Sequence, residues 1–68
     1  MKITDMQERR IGDEEIDRHL GDLVSVNGRG VLPLVEKRAK EIASIGGPLF
    51  SQNSLRLAAA ARKKIGEN

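Results

Sequence analysis

The sequence contains no cysteine, tryptophan or tyrosine and only one phenylalanine among its 68 residues. Disulfides and thiolate metal ligands are therefore excluded, and a core must be built from aliphatic side chains, alanine and methionine. A chain of this length buries only about 60% of the surface that it exposes when unfolded. We expect a single small domain over residues 1–68 with a thin core, and hence a homodimer or a stable complex with a protein partner.

Long apolar runs are also lacking. The longest uninterrupted one, residues 57–61, has five residues, which is too short to span a membrane or to form the core of a signal peptide. We therefore expect a cytoplasmic protein with no membrane partner. The chain carries 12 basic and 10 acidic residues, a net charge of +2 that does not by itself indicate nucleic-acid binding.

Apolar residues recur at helical spacing in three segments, which predicts helices over about 13–24, 31–45 and 53–65. Glycines at 28 and 30 and the Gly-Gly-Pro sequence at 46–48 separate these segments. Ser51 or Asn53 is the expected N-cap of the last helix. Residues 1–12 are predicted to form either a flexible arm or a short helix, because Thr4 and Gln7 have the spacing of a capping box. The expected fold is a mostly all-α, small bundle.

Residues 22–26 have a second interpretation. The valines at positions 24 and 26 favour a β-strand, and Asn-Gly follows at a turn. The segment is therefore either the end of the first long helix or one short strand.

Catalytic groups are sparse. His19 is the only histidine, and Glu15, His19 and Asp22 share a helical face, which is more typical of a solvated polar surface than of a metal site. The four serines have no nucleophile-elbow context, and Gly28-Arg29-Gly30 lacks the spacing of a phosphate-binding loop. We expect no enzyme activity, no cofactor, no bound metal and no small-molecule substrate.

The end of the last predicted helix is basic. Its lysines and arginines either contact a partner or complement the helix dipole, since both roles place positive charge in the last turn. An apolar pair precedes the helix and is expected to be exposed as a docking feature. The candidate partner-binding residues are Leu49, Phe50, Arg56, Arg62, Lys63 and Lys64.

Residues 22–66 can be read as strand, helix, turn and helix, an order that resembles the ribbon-helix-helix family of DNA-binding proteins. The resemblance implies a dimer whose paired strands enter the major groove. It directs Val24 and Val26 toward the core. The residues that it implies for nucleic-acid contact are Ser25, Asn27, Arg29, Ser51 and Asn53.

Two functions follow as expectations. The first is a non-enzymatic protein-binding module that acts by stoichiometric binding, such as an inhibitor, an adaptor or an accessory subunit of the kind that phages and mobile elements encode. The alternative is a dimeric DNA-binding transcriptional regulator of the ribbon-helix-helix type.

Overall fold

Four α-helices make up the computed structural model, which describes residues 3–67, with the side chain of Ile3 excepted. They are α1 (Ile3–Glu8), α2 (Asp13–Asn27), α3 (Val31–Ala43) and α4 (Pro48–Gly66). No strand occurs in the described residues, so the predicted all-α bundle is confirmed. The predicted arm contains a short helix, α1, while residues 1 and 2 lie outside the described part of the chain.

Helix α2 begins with three acidic residues in its first turn, which favour the positive end of the helix dipole. It ends at Gly28, whose φ of 82° lies in the left-handed region that glycine adopts without strain. The helix continues through residues 22–26, so the alternative of a strand is wrong. Burial of Ile16 and Leu20 on one helical stripe outweighs the strand preference of valine, and Val26 is 83% exposed instead of facing the core.

Helix α4 begins at Pro48, well before the predicted start near residue 53. Gly47 is its N-cap, and proline in the first turn costs no hydrogen bond because that N–H would lack a partner inside the helix. Ser51 and Asn53 are therefore interior residues of α4, and the expectation that one of them caps the helix is wrong.

The core lies where α4 meets the other three helices, and the most extensive contact is between α3 and α4. Helix α1 packs only against α4 among the described helices. The buried cluster consists of Met6, Ile11, Ile16, Leu20, Leu32, Ala39, Phe50, Leu57, Ala58 and Ala61. None of the helices in the described region is long and apolar enough to cross a membrane.

Candidate protein-binding groove

A groove of about 600 Å³ runs between α2 and α4. Three of the residues predicted to contact a partner, Arg56, Lys63 and Lys64, line it. The sequence pointed to these three side chains but not to the helix that faces them. The groove residues are Asp13, Glu14, Ile16, Asp17, Arg56, Ala59, Ala60, Lys63, Lys64 and Glu67.

Small and apolar side chains form the floor of the groove. Ile16 is buried, Ala60 is half-buried and Ala59 is exposed. Alanine is a strong helix former, and its small side chain adds little bulk to this surface of α4. Another helix can approach α4 closely at Ala59, since the interaxial distance of packed helices depends on the size of the contacting side chains.

The two rims of the groove carry opposite charges. The acidic rim is the first turns of α2, with Asp13, Glu14 and Asp17, and the basic rim is contributed by α4, whose C-cap Glu67 adds one acidic residue at its end. Lys64 Nζ lies 2.8 Å from Asp17 Oδ1, and Arg56 pairs with Asp13. The hydrogen bond from Lys64 and its positive charge lower the pKa of Asp17 below the ordinary aspartate range.

Charges of both signs stay unpaired around the groove. Glu14 and Lys63 are both exposed, and neither forms an ion pair with another described residue. Four groove charges thus neutralise each other in two pairs, while the Lys63 ammonium group and the carboxylates of Glu14 and Glu67 remain available to a partner.

Asn53 is an anchor inside the protein and not a surface residue. The residue is 1% exposed, and its side chain binds the end of α1 and the α1–α2 connection through three hydrogen bonds. Asn53 Oδ1 accepts the Ile11 N–H at 3.0 Å, and Asn53 Nδ2 donates to the carbonyls of Met6 and Arg9, each at 2.8 Å. Arg56, one turn later, donates to the Ile11 carbonyl. This part of α4 therefore holds the backbone of residues 6–11.

Arg29 also has an internal role. Its guanidinium donates to the carbonyls of Lys64 and Glu67, both at 2.6 Å. These carbonyls belong to the last turn of α4 and its C-cap, where few acceptors find partners within the helix, and the Lys64 carbonyl also accepts the N–H of Glu67. Arg29 thus ties the α2–α3 connection to the end of α4.

The predicted apolar docking pair is not exposed. Phe50 is 7% exposed and belongs to the core, and Leu49 is half-buried. The expectation of an exposed pair is wrong because both residues lie in the first turn of α4, not in a loop before it. Arg62 points away from the groove, toward α3, where it lies 3.9 Å from Glu36.

The residues implied for nucleic-acid contact do not form one surface. Ser25 and Asn27 are exposed on α2, where the ribbon arrangement needs a strand. Ser51 is half-buried, and the side chains of Arg29 and Asn53 make the internal contacts described above.

A second, polar hollow of about 510 Å³ lies along α2. Glu15, His19 and Asp22 all line it, as their shared helical face predicted. Partial burial lowers the pKa of His19, and Glu15 is held by Arg9 at 2.8 Å, which lowers the pKa of that carboxyl. No group of three potential metal ligands is found within residues 3–67.

The groove depends on residues that the sequence did not single out. Sequence reasoning assigned no partner contact to Glu14, Asp17, Ala59 or Ala60. A usable signal was present, since acidic residues on α2 and basic residues on α4 are both spaced by helical turns. No known family model, curated protein or solved structure matches the chain.

Proposed function

We propose that this chain is a non-enzymatic protein-binding module that acts by stoichiometric binding, and that the groove between α2 and α4 receives a helix of its partner. The observation that supports this most is the combination of a low alanine floor with rims of opposite charge. A helix fits such a groove when its central residues are apolar and its two flanks carry opposite charges.

Energetically, the groove favours a protein partner over DNA. Burying the apolar floor supplies affinity, and the charged rims set orientation and reject partners with the wrong charge pattern. Phosphate backbones are recognised by surfaces with a positive excess. Here the basic rim faces an acidic one, which supports a protein over DNA. The residues that the resemblance implies for DNA contact are distributed over α2, the α2–α3 connection and α4, which favours the protein-binding proposal.

The test is a photo-reactive amino acid placed at Ala59 in cells that produce the protein. Ala59 is exposed on the groove floor, and Ser44, exposed near the end of α3, provides the control position outside the groove. We expect discrete cross-linked adducts from position 59 that are absent from position 44. The charge reversal Lys63→Glu should weaken them.

Adducts of equal yield from both positions, or none from position 59, would contradict the proposed site. The mass of the adduct distinguishes the partners, because a second copy of the chain gives twice the mass of 7.5 kDa.

A further inference from the structure

We infer that the groove is self-complementary and that its partner is the same groove of a second copy of this chain. This inference rests on the proposed function, since it names the occupant of the same site.

The charges around the groove fit a dimer with two-fold symmetry. A two-fold axis that lies in the interface and runs along the groove exchanges the two rims, so the acidic rim of each copy faces the basic rim of the other. A two-fold axis that lies in the interface but runs perpendicular to the groove would instead place the two acidic rims against each other and the two basic rims against each other. The charge pattern therefore selects one arrangement, in which the two α4 helices run parallel.

The unpaired groups fit this arrangement. Asp13 and Asp17 are already neutralised by Arg56 and Lys64 within the chain. Exchange of the rims then brings Glu14 of each copy toward Lys63 of the other, so that two intermolecular ion pairs form in each dimer. Both groups are exposed, so neither needs to leave an existing partner.

The floor provides the space for contact. Ala59 lies on the exposed side of α4, between the rims, and carries only a methyl group. The rims of the two copies can therefore meet without a large side chain in the way at position 59. The contact also removes apolar surface from water, which a chain with a thin core can use for stability.

Charge reversal with rescue tests the inference. The variants are Glu14→Lys, Lys63→Glu and the double variant, with Lys37→Glu as the control. Lys37 is an exposed lysine of α3 without an ion pair among the described residues. Sedimentation equilibrium of the full chain at low salt gives the dimer dissociation constant, and circular dichroism confirms that every variant is folded.

We expect a concentration-dependent dimer. Each single reversal replaces two attractive pairs by two repulsive ones and should raise the dissociation constant by about tenfold or more. The double variant should return to within about threefold of the original protein, because the pair is restored with its charges exchanged. Lys37→Glu should leave the constant unchanged.

A single-cysteine variant gives an independent readout in a chain without cysteine. Ala59→Cys should form a disulfide-linked dimer on mild oxidation, whereas Ser44→Cys should not. A folded protein that stays monomeric at millimolar concentration would overturn the inference, and so would a tighter dimer in Lys63→Glu. Cross-linking of Ala59 to a different protein would then still support the proposed function, so the two can fail separately.

Discussion

The two halves of α4 use their polar residues in different ways. In the first half, Asn53 is buried and all three of its hydrogen bonds are made to the protein's own backbone. In the second half, Lys63 is exposed beside Ala59 and has no ion-pair partner among the described residues. The first half anchors the end of α1 and the connection that follows it, and the second half contributes most of the basic rim of the groove.

The reason for the difference is what each half faces. Residues 6–11 comprise the end of α1 and part of the α1–α2 connection. Their backbone groups need hydrogen-bond partners when they are covered, and a buried amide side chain supplies both a donor and an acceptor. The groove faces solvent, where a charged side chain loses nothing by remaining unpaired. Residue type alone does not separate these roles, because both halves alternate polar and apolar residues with helical spacing.

Removing the anchor should have the largest effect. Asn53→Ala leaves the Ile11 N–H and the Met6 and Arg9 carbonyls without their partner, and unsatisfied buried groups cost about 1–3 kcal/mol each. We expect the free energy of unfolding to fall by more than about 3 kcal/mol in urea denaturation. Gln52→Ala, at the exposed neighbouring position, should change it by less than about 0.5 kcal/mol. Equal effects would show that Asn53 is not an anchor.

A substitution in the turn before α4 should have the second-largest effect on stability. A Cβ atom at Gly46 would overlap the side chain of Phe50, whereas a Cβ at Gly47 would meet open space. We expect Gly46→Ala to destabilise the protein by about 1–3 kcal/mol, because Phe50 must move within a packed core. Gly47→Ala should cost less, since no atom stands in its way. Thermal unfolding of the pair measures the difference, and a larger loss in Gly47→Ala would refute the packing described for Phe50.

Lowering the pH should remove the stability that the ion pair between Lys64 and Asp17 contributes. Lys64 lowers the pKa of Asp17 in the folded protein, so below the ordinary aspartate pKa the unfolded chain binds a proton that the folded chain resists. This contribution to stability is present at neutral pH and is lost as the pH falls through the lowered pKa of Asp17. Asp17→Asn should therefore flatten the decline of stability below about pH 4. Asp22→Asn, outside the groove, should not, and an equal flattening in both variants would contradict the Lys64 pairing.

The smallest effect is expected at Ser54. Its hydroxyl is fully buried in the first half of α4 and has no hydrogen-bond partner among the described residues. Ser54→Ala removes a desolvated polar atom without breaking a bond, so the free energy of unfolding should stay the same or rise by up to about 1 kcal/mol. A clear loss of stability in chemical denaturation would show that the hydroxyl does have a partner.

The sequence predicted the helices better than the contacts between them. Apolar spacing located α2 and α3, because burial of Ile16, Leu20 and Leu32 follows the helical period. The start of α4 was missed because Pro48 was read as the end of one helix and not also as the first residue of the next. The role of Asn53 depends on contacts with residues more than 40 positions away, which local patterns do not encode.

The candidate site was predicted only in part. The basic residues of α4 were identified, but their pairing with the acidic start of α2 requires the two helices to lie side by side, which periodicity does not specify. Phe50 was misplaced for a related reason, since exposure was inferred for a loop that is in fact the first turn of a helix.

The most direct test of the central claim is a dilution series followed by two-dimensional NMR of the isotope-labelled chain. If the second half of α4 is the binding surface, chemical shifts should change with concentration at Glu14, Ala59 and Lys63. The amide signals of Asn53 and Ile11 should stay fixed, because the anchor is internal in monomer and dimer alike. Shifts that change instead at the anchor or on the outer face of α3, or that do not change at any concentration, would contradict the account.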